Sequence, residues 1–190
     1  MNRDEAWDIL CEHTKTEPLR KHALAVEAAM RAYARKYGGD EDRWATVGLL
    51  HDFDFEMHPN PDEHPVKGAE ILRERGVPED IVYAVLCHAD YLSLERKTPM
   101  DRAIYAVDEL TGFVTAVALV RPNKSIDEVD VAAVRKKMKD KGFARAVNRE
   151  DITKGAEQLG VDLDEHIAFV IDALRPVATE LGIAGTPSAT

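Results

Sequence analysis

Apolar residues recur at steps of three or four along most of the chain, which is the period of an amphipathic helix. The longest such stripe starts at Leu19 and runs through Met30 to Tyr37, and Gly38-Gly39 ends it. No segment shows the strict alternation of apolar and polar residues that is typical of a half-buried strand. The pattern therefore predicts an all-α fold.

Capping residues, glycines and prolines mark the expected ends of the other helices. These helices are predicted to start after Asp40, to run from about Val66 to Arg75, to start after Pro78, to run from Thr98 to Val120, and to start after Asn148 and Asp162. Residues 123–148 are charged and weakly periodic, and a helix is predicted to begin there at Ile126. Pro176 is expected to kink the last helix. The closing residues, from Gly185 to Thr190, are expected to fray.

The length and composition are those of an ordinary globular chain. It has 190 residues, of which 45% are hydrophobic and 32% charged. We expect one domain over residues 1–185, with a core at about 18–120 and a helical extension at about 121–185. The N-terminus lacks the apolar run of a signal peptide, and no window is apolar for long enough to span a bilayer. These features predict a cytoplasmic protein without a membrane partner, and its oligomeric state stays open.

The formal net charge of −10 bears on the kind of partner. A chain this acidic repels the backbone of DNA and RNA, so a nucleic-acid polymer is not an expected partner. A small phosphorylated ligand remains compatible, because a bound metal or a local basic pocket can override the global charge. The two cysteines, Cys11 and Cys87, form no CxxC pair, which excludes zinc-ribbon and thioredoxin-like motifs.

Ionisable residues interrupt several of the predicted core stripes. His22, His51, His88 and Asp108 each fall on a stripe of a different helix, and Asp52 follows His51 directly. Burying such groups costs free energy unless they are paired or bind a metal. One histidine of this kind is more often a hydrogen-bonded core residue, but four of these residues on four helices favour a shared metal site. Nitrogen and oxygen ligands without cysteine suit Mn, Fe, Co, Ni, Mg or Zn.

The order of His22, the His51-Asp52 pair and Asp108 resembles the H…HD…D signature of the HD-domain superfamily. The apolar contexts are similar too, in the segments 21–27 (KHALAVE), 48–52 (GLLHD) and 106–110 (AVDEL). The resemblance covers residues 18–120. The family is all-α and consists mostly of metal-dependent phosphohydrolases, many of which act on nucleotides. The resemblance implies that these four residues hold one divalent metal ion.

Two further histidines bear on the number of metal ions. His64 opens the segment HPVKGAEIL, similar to HPxxGAxIL in HD-GYP-type members, and His88 lies in VLCHAD. In binuclear members, histidines at these places hold a second metal and the aspartate of the HD pair bridges both. The resemblance thus implies one or two ions, the alternative being that His64 and His88 contact phosphate or water beside a single ion. HDIG-type relatives continue the HD pair with Ile-Gly-Lys, whereas this chain has FDFE at residues 53–56, and it lacks the GYP motif of cyclic-di-GMP enzymes.

Hydrolysis of a phosphate ester also needs carboxylates and cations around the metal. Asp52 is expected to bridge the metals or orient the water. Asp54 or Glu56 could act as a general base or accept a hydrogen bond from a ligand histidine, the alternative being that both are solvated loop acids. Lys67 is the favoured cation for catalysis and substrate binding, because it follows His64 by three residues. The other candidate substrate-binding cations, all commonly solvent-facing, are Arg20, Lys21 and Arg121.

These observations predict a metal-dependent phosphohydrolase that cleaves a small phosphate ester with metal-activated water, with a nucleotide as the favoured substrate. Two alternatives stay open. A di-iron HD-type oxygenase has an overlapping ligand set and would consume oxygen. A non-catalytic HD module would bind its ligand tightly and release no product. The sequence does not identify the substrate, because loops and added helices shape the pocket.

Overall fold

We describe residues 1–185 from a computed structural model of the chain; all but the first residue of the tail that is expected to fray, residues 186–190, lie outside the described residues. The part of the chain so described is helical and contains no strand, which confirms the all-α prediction. None of its helices is both long and apolar enough to cross a membrane. The α-helices are α1 (Arg3–His13), α2 (Glu17–Tyr37), α3 (Glu41–Leu50), α4 (Val66–Glu74), α5 (Glu79–Leu86), α6 (Pro99–Leu119), α7 (Val131–Met138), α8 (Arg149–Leu159), α9 (Leu163–Leu174) and α10 (Ala178–Leu181).

The helix ends follow the capping signals in the sequence. The Asp40 side chain accepts hydrogen bonds from two backbone N–H groups in the first turn of α3. Asp162 also accepts from two such groups in α9, and Asn148 accepts from one, the N–H of Glu150, in α8. Gly38 ends α2 in the left-handed conformation, with φ of 67°, which favours glycine. These local interactions explain why the predicted starts of α3, α8 and α9 are confirmed.

The centre of the molecule is the packing of α2 against α3 and α6. Val26 and Met30 of the α2 stripe are fully buried. In α3, a Cβ atom at Gly48 would lie 2.8 Å from the Cα atom of Glu27, so the two helices cross at a distance that only glycine permits. This packing brings His22 on α2 and Asp108 on α6 close to the end of α3.

The C-terminal extension packs against the other side of α2 and α6. A Cβ atom at Gly155 of α8 would lie 2.6 Å from the Cα atom of Ala106, so α8 also approaches α6 closely. His166 on α9 is buried, donates from Nε2 to the Ala106 carbonyl and accepts from the Tyr33 hydroxyl. The hydrophobic core therefore runs continuously from the segment 18–120 into the extension.

The prediction that a helix begins at Ile126 is wrong. Residues Ile126–Glu128 form a single 3-10 turn, and α7 begins only at Val131. The Ile126 N–H donates to the carbonyl of Ile183, and an isolated β-bridge joins Ser125 to Ala184. The extended backbone of Val129 and Asp130 separates this turn from α7, which begins where the Asp130 side chain accepts from the N–H of Ala133.

Pro176 lies where the last helix changes direction. Helix α9 ends at Leu174, a 3-10 turn covers Arg175–Val177, and α10 follows. Because proline has no N–H to donate, the α-helical hydrogen bonding stops at this position. The predicted interruption of the last helix is therefore present.

Candidate metal centre

Four of the predicted ligands meet where α2, α3 and α6 converge. The Nε2 atom of His22 lies 3.0 Å from Oδ1 of Asp108 and 3.2 Å from Nε2 of His51. The Oδ2 atom of Asp52 lies 3.5 Å from His51 Nε2 and 3.9 Å from His22 Nε2. We call His22, His51, Asp52 and Asp108 the first ligand group.

Asp52 also belongs to a second group. Its other oxygen, Oδ1, lies 3.2 Å from Nε2 of His64 and 3.3 Å from Nε2 of His88. These two histidine nitrogens are themselves 3.1 Å apart. We call Asp52, His64 and His88 the second ligand group. The carboxylate of Asp52 thus directs one oxygen to each group.

The spacing of these atoms fits a transition-metal ion. Ligand atoms at about 2.1 Å from an ion lie about 3.0 Å apart in octahedral and about 3.4 Å apart in tetrahedral geometry. The histidine–histidine and histidine–aspartate separations in the two groups, 3.0 to 3.9 Å, lie near that range. The described residues therefore contain two groups that could each hold a divalent ion.

Hydrogen bonds on the far side of the rings orient three of the four histidines. Nδ1 lies 2.8 Å from the Gly48 carbonyl in His51, and 2.6 Å from the Val85 carbonyl in His88. A carbonyl only accepts, so in the neutral ring each Nδ1 carries the proton and the lone pair of Nε2 is directed into its ligand group.

The third oriented histidine, His64, uses a buried carboxylate instead of a carbonyl. Its Nδ1 lies 2.9 Å from Oδ1 of Asp54, whose other oxygen accepts from the N–H of Gly68 at 3.0 Å. Asp54 is fully buried, and a Cβ atom at Gly68 would lie 2.6 Å from its carboxylate carbon. Asp54 is therefore placed to orient the ring of His64. Of the two roles expected for Asp54, this is the acceptor of a hydrogen bond from a ligand histidine.

The carboxylates and imidazoles strongly affect each other's protonation. Burial lowers the pKa of His64, but Asp52 and Asp54 outweigh it and raise that pKa to about 9. Burial likewise opposes protonation of His51, yet Asp52 and Asp108 hold its pKa well above the ordinary value. Burial favours protonation of Asp108, yet His51 and His22 hold its pKa well below the ordinary value. A cation that binds here must displace protons from the imidazoles, so its affinity falls as the pH falls.

Comparison with known proteins agrees with this geometry. Residues 19–112 match the family model described as HD domain, and this range contains all six ligand candidates. Residues 19–112 therefore belong to the HD-domain superfamily. The family resemblance that the ordered histidines and aspartates indicated is confirmed for this segment.

Three curated relatives share the HD domain. They are proteins called ribonuclease Y from Oleidesulfovibrio alaskensis (29% identical), Desulfotalea psychrophila (30%) and Nitratidesulfovibrio vulgaris (29%), each aligned over 93 residues. The alignment covers 48% of this chain but only 18% of each relative, so most of each relative has no counterpart here. No solved structure matches the chain.

A cavity of about 480 Å³ opens beside the HD ligands. One face of α6 contributes Tyr105, Asp108, Glu109 and Gly112, and the C-terminal extension contributes Ala146, Val147 and Asp151. The loops after the HD pair and after His88 contribute the rest of the wall, including Phe55, Asn60, Asp90 and Tyr91. The extension is thus part of the site as well as of the core.

The sequence interpretation missed several polar residues of this cavity. Tyr91 donates its hydroxyl to the carbonyl of His64 at 2.7 Å, and Tyr105 donates to Asp151 at 2.9 Å. Burial and the neighbouring charge of Asp108 raise the pKa of Glu109 to about 7. Glu109 had a detectable signal, because it follows the last signature aspartate on the same helix face. Asp151 had none, because only tertiary packing brings α8 to the site.

The predicted cations and one predicted acid point away from the cavity. Glu56 is exposed and accepts from the N–H groups of Lys15 and Thr16. The exposed side chain of Lys67 pairs with Glu70, and Arg20 donates to backbone carbonyls at the end of α1.

The remaining two predicted cations are also outside the lining. Lys21 pairs with Glu17 and borders a separate cavity behind His22, of about 400 Å³. Arg121 follows the end of α6. Lys21 directly precedes His22 on α2, so the two side chains leave the helix in directions about 100° apart.

Proposed function

We propose that the chain is a metal-dependent phosphohydrolase that cleaves a small phosphate ester. The observation that carries the proposal is Asp52, which directs one carboxylate oxygen to each of two ligand groups. Two divalent ions joined in this way form the arrangement that many phosphatases and nucleases use to bind a phosphoryl group. The proposal includes all six ligand residues predicted from the sequence.

A divalent ion held by these groups supplies positive charge for the phosphoryl oxygens and activates water for attack. The protein's own residues keep this site in order. Asp52 fixes the relation between the groups and orients the water, and Asp54 keeps the Nε2 lone pair of His64 directed at the second group. We assign no role in the reaction to Glu56 or Lys67, whose side chains lie outside the cavity.

We further propose a mononucleotide or a similar small ester as substrate rather than a polymer. The relatives named ribonuclease Y make RNA a candidate. However, among the described residues that line the cavity there is no lysine or arginine, and the chain carries a net charge of −10. A polyanion needs cations along its length, so the cavity fits a ligand with one phosphate better than a nucleic acid.

Metal content and activity of the whole chain test the proposal. The freshly purified protein should contain up to two metal equivalents, and with that metal restored it should hydrolyse phosphate esters from a panel that includes an RNA oligonucleotide. His64→Ala should lose one equivalent and Asp108→Ala should lose activity. His58→Ala, a histidine outside the cavity lining, is the matched control. Full metal content and activity in Asp108→Ala would refute the proposal, as would ligand binding without any product.

A second candidate function is supported by the composition of the ligand groups. Four histidines and two aspartates with one shared carboxylate also suit two iron ions, and a cavity lined by no lysine or arginine in its described part does not require a phosphate. An oxygenase would consume oxygen in the presence of Fe(II) and a hydroxyl-rich substrate. Hydrolysis with Mn, Co or Mg in the absence of oxygen would exclude this alternative.

A further inference from the structure

The wall of the cavity beyond the metal ligands is acidic. Asp90, Glu109 and Asp151 lie there together with the hydroxyl groups of Tyr91 and Tyr105. These three acids come in addition to Asp52 and Asp108. Within the described lining, no lysine or arginine offsets them. The part of a substrate that lies beyond its reacting phosphate therefore faces carboxylates and hydroxyl groups rather than cations.

Two of these three acids are already occupied. Asp90 pairs with Arg96 at 3.1 Å and with Lys154 at 3.2 Å. Asp151 accepts from the Tyr105 hydroxyl through one oxygen and from the Asn148 amide through the other. Their acceptor capacity is largely used by the protein itself.

Glu109 differs from these two acids. Its Oε2 accepts from the N–H of Asn148 at 3.2 Å, while no described residue donates to its Oε1. Glu109 follows Asp108 on α6, and Tyr105, Asp108 and Gly112 line the cavity from the same helix. A half-buried carboxylate with a free oxygen thus lies one residue from a ligand of the first group.

We infer that Glu109 determines substrate specificity, by selecting a phosphate monoester whose alcohol part offers hydroxyl or amino donors and by rejecting esters with a second phosphate. The inference rests on the proposed function and names the substrate class of the same site. A donor group on the substrate satisfies the free oxygen of Glu109, whereas a second phosphate brings only acceptor oxygens to it and finds no lysine or arginine in the described lining.

The loop that leads into α8 offers the competing arrangement. It contributes Ala146 and Val147 to the cavity, and Arg145, the residue before them, is exposed. If a second phosphate were bound at the cavity rim, Arg145 would be its counter-ion and diphosphates would be good substrates. Arg145→Gln therefore tests the opposite specificity.

Matched substrates and matched variants test the inference in the full chain. The kcat/KM values are measured for the monophosphate, diphosphate and triphosphate of one nucleoside, at a fixed concentration of free metal ion. The wild type should favour the monophosphate. Glu109→Gln keeps the acceptor for Asn148 but removes the charge, and it should lower the ratio of monophosphate to diphosphate kcat/KM about tenfold. Glu150→Gln, an exposed acid on α8, should leave the ratio unchanged.

The possible results separate the inference from the function on which it rests. The two kcat/KM values come from the same enzyme preparation. A smaller fraction of folded enzyme lowers both values equally and leaves their ratio unchanged. Hydrolysis with an unchanged ratio in Glu109→Gln would overturn the inference alone. A wild type that prefers the diphosphate and loses this preference in Arg145→Gln would also overturn it. No hydrolysis of any ester with any metal would refute the proposed function as well.

Discussion

At the scale of single residues, the carboxylate of Asp54 connects the second ligand group to the fold. It is fully buried and contacts the imidazole of His64 and the backbone N–H of Gly68. An isolated buried carboxylate is costly, so its hydrogen bonds are essential to its position. The same contacts fix the ring of His64, and a carboxylate in this place also makes the ring a stronger ligand.

Replacing Asp54 by asparagine should weaken the second group selectively. Asp54→Asn keeps the side-chain volume but removes the charge that supports His64, and loss of such a partner typically lowers metal affinity by about 10- to 100-fold. Metal titration with a competing chelator should show one weakened site and one unchanged site. Glu56→Gln removes an exposed carboxylate two residues away and should leave both affinities as they are. Equal affinities in Asp54→Asn and wild type would contradict this role.

His166 has a different role, because it stabilises the fold at a distance from the ligand groups. Burial lowers its pKa to about 4, and the residue stays neutral between Tyr33 and the Ala106 carbonyl. In the unfolded chain the same imidazole takes up a proton at a pH near 6.5. Its contribution to stability is therefore complete above about pH 6.5 and is lost as the pH falls from there towards 4.

Removing the titrating group should make the protein less sensitive to acid. Between pH 7 and pH 5, this one histidine should lower the wild-type free energy of unfolding by about 2 kcal/mol. The His166→Gln variant should be less stable than the wild type at pH 7. Between pH 7 and pH 5, however, its free energy of unfolding should fall by about 2 kcal/mol less than that of the wild type. Urea denaturation at the two pH values measures the difference. An identical loss in both proteins would show that His166 is not the source.

At the scale of helices, glycines set the approach of one element to another. Gly155 of α8 and Gly112 of α6 both lie inside helices, where alanine has the higher intrinsic propensity by about 1 kcal/mol. A Cβ atom at Gly155 would lie 2.6 Å from the backbone of Ala106, whereas one at Gly112 would lie 3.8 Å from the ring of His22. Only the first contact is too short for a methyl group.

Only the first of the two substitutions should therefore lower the stability of the fold. Gly155→Ala forces α8 away from α6 and should lower the free energy of unfolding by about 1–3 kcal/mol. Gly112→Ala should leave it unchanged or raise it by up to about 1 kcal/mol. Denaturant unfolding of both variants in metal-free buffer checks the pair. Equal effects would mean that the packing of α6 against α8 tolerates a methyl group.

The helices also show which boundaries can be predicted from sequence. The starts of α3, α8 and α9 were predicted because Asp40, Asn148 and Asp162 bind backbone groups within three residues. The start of α7 was missed although Asp130 caps it locally in the same way. The residues Ile126–Glu128 do form a helical turn, but the extended backbone of Val129 and Asp130 keeps this turn separate from α7.

At the scale of the whole molecule, the first ligand group joins three helices that are distant in sequence. His22 lies on α2, His51 and Asp52 follow α3, and Asp108 lies on α6. An ion bound to all four contacts the folded chain in a way that the unfolded chain cannot reproduce. Metal binding and global stability are therefore linked.

Metal ions should stabilise the whole protein against unfolding. At a free ion concentration 100 times the dissociation constant, the gain is about 2.7 kcal/mol for one site. The melting temperature should rise on addition of Mn²⁺ or Co²⁺ and fall on addition of a chelator. Asp108→Asn should abolish most of the shift from the first group. A melting temperature independent of metal in the wild type would show that the groups do not bind these ions with useful affinity.

The sequence by itself determined the helical class and most helix ends, because helix period and capping act over a few residues. It also contains the ordered signature of the HD superfamily, which can be read without the fold. It also predicted six ligand candidates, which the structure brings together. Only the tertiary structure decided that Asp52 directs a different oxygen to each group, that Asp54 contacts His64 while Glu56 contacts Lys15 and Thr16, and that α8 forms a wall of the cavity. These features depend on distances between segments that are far apart in the chain, and a pattern of apolar residues defines which face of a helix is buried but not which residue it meets there.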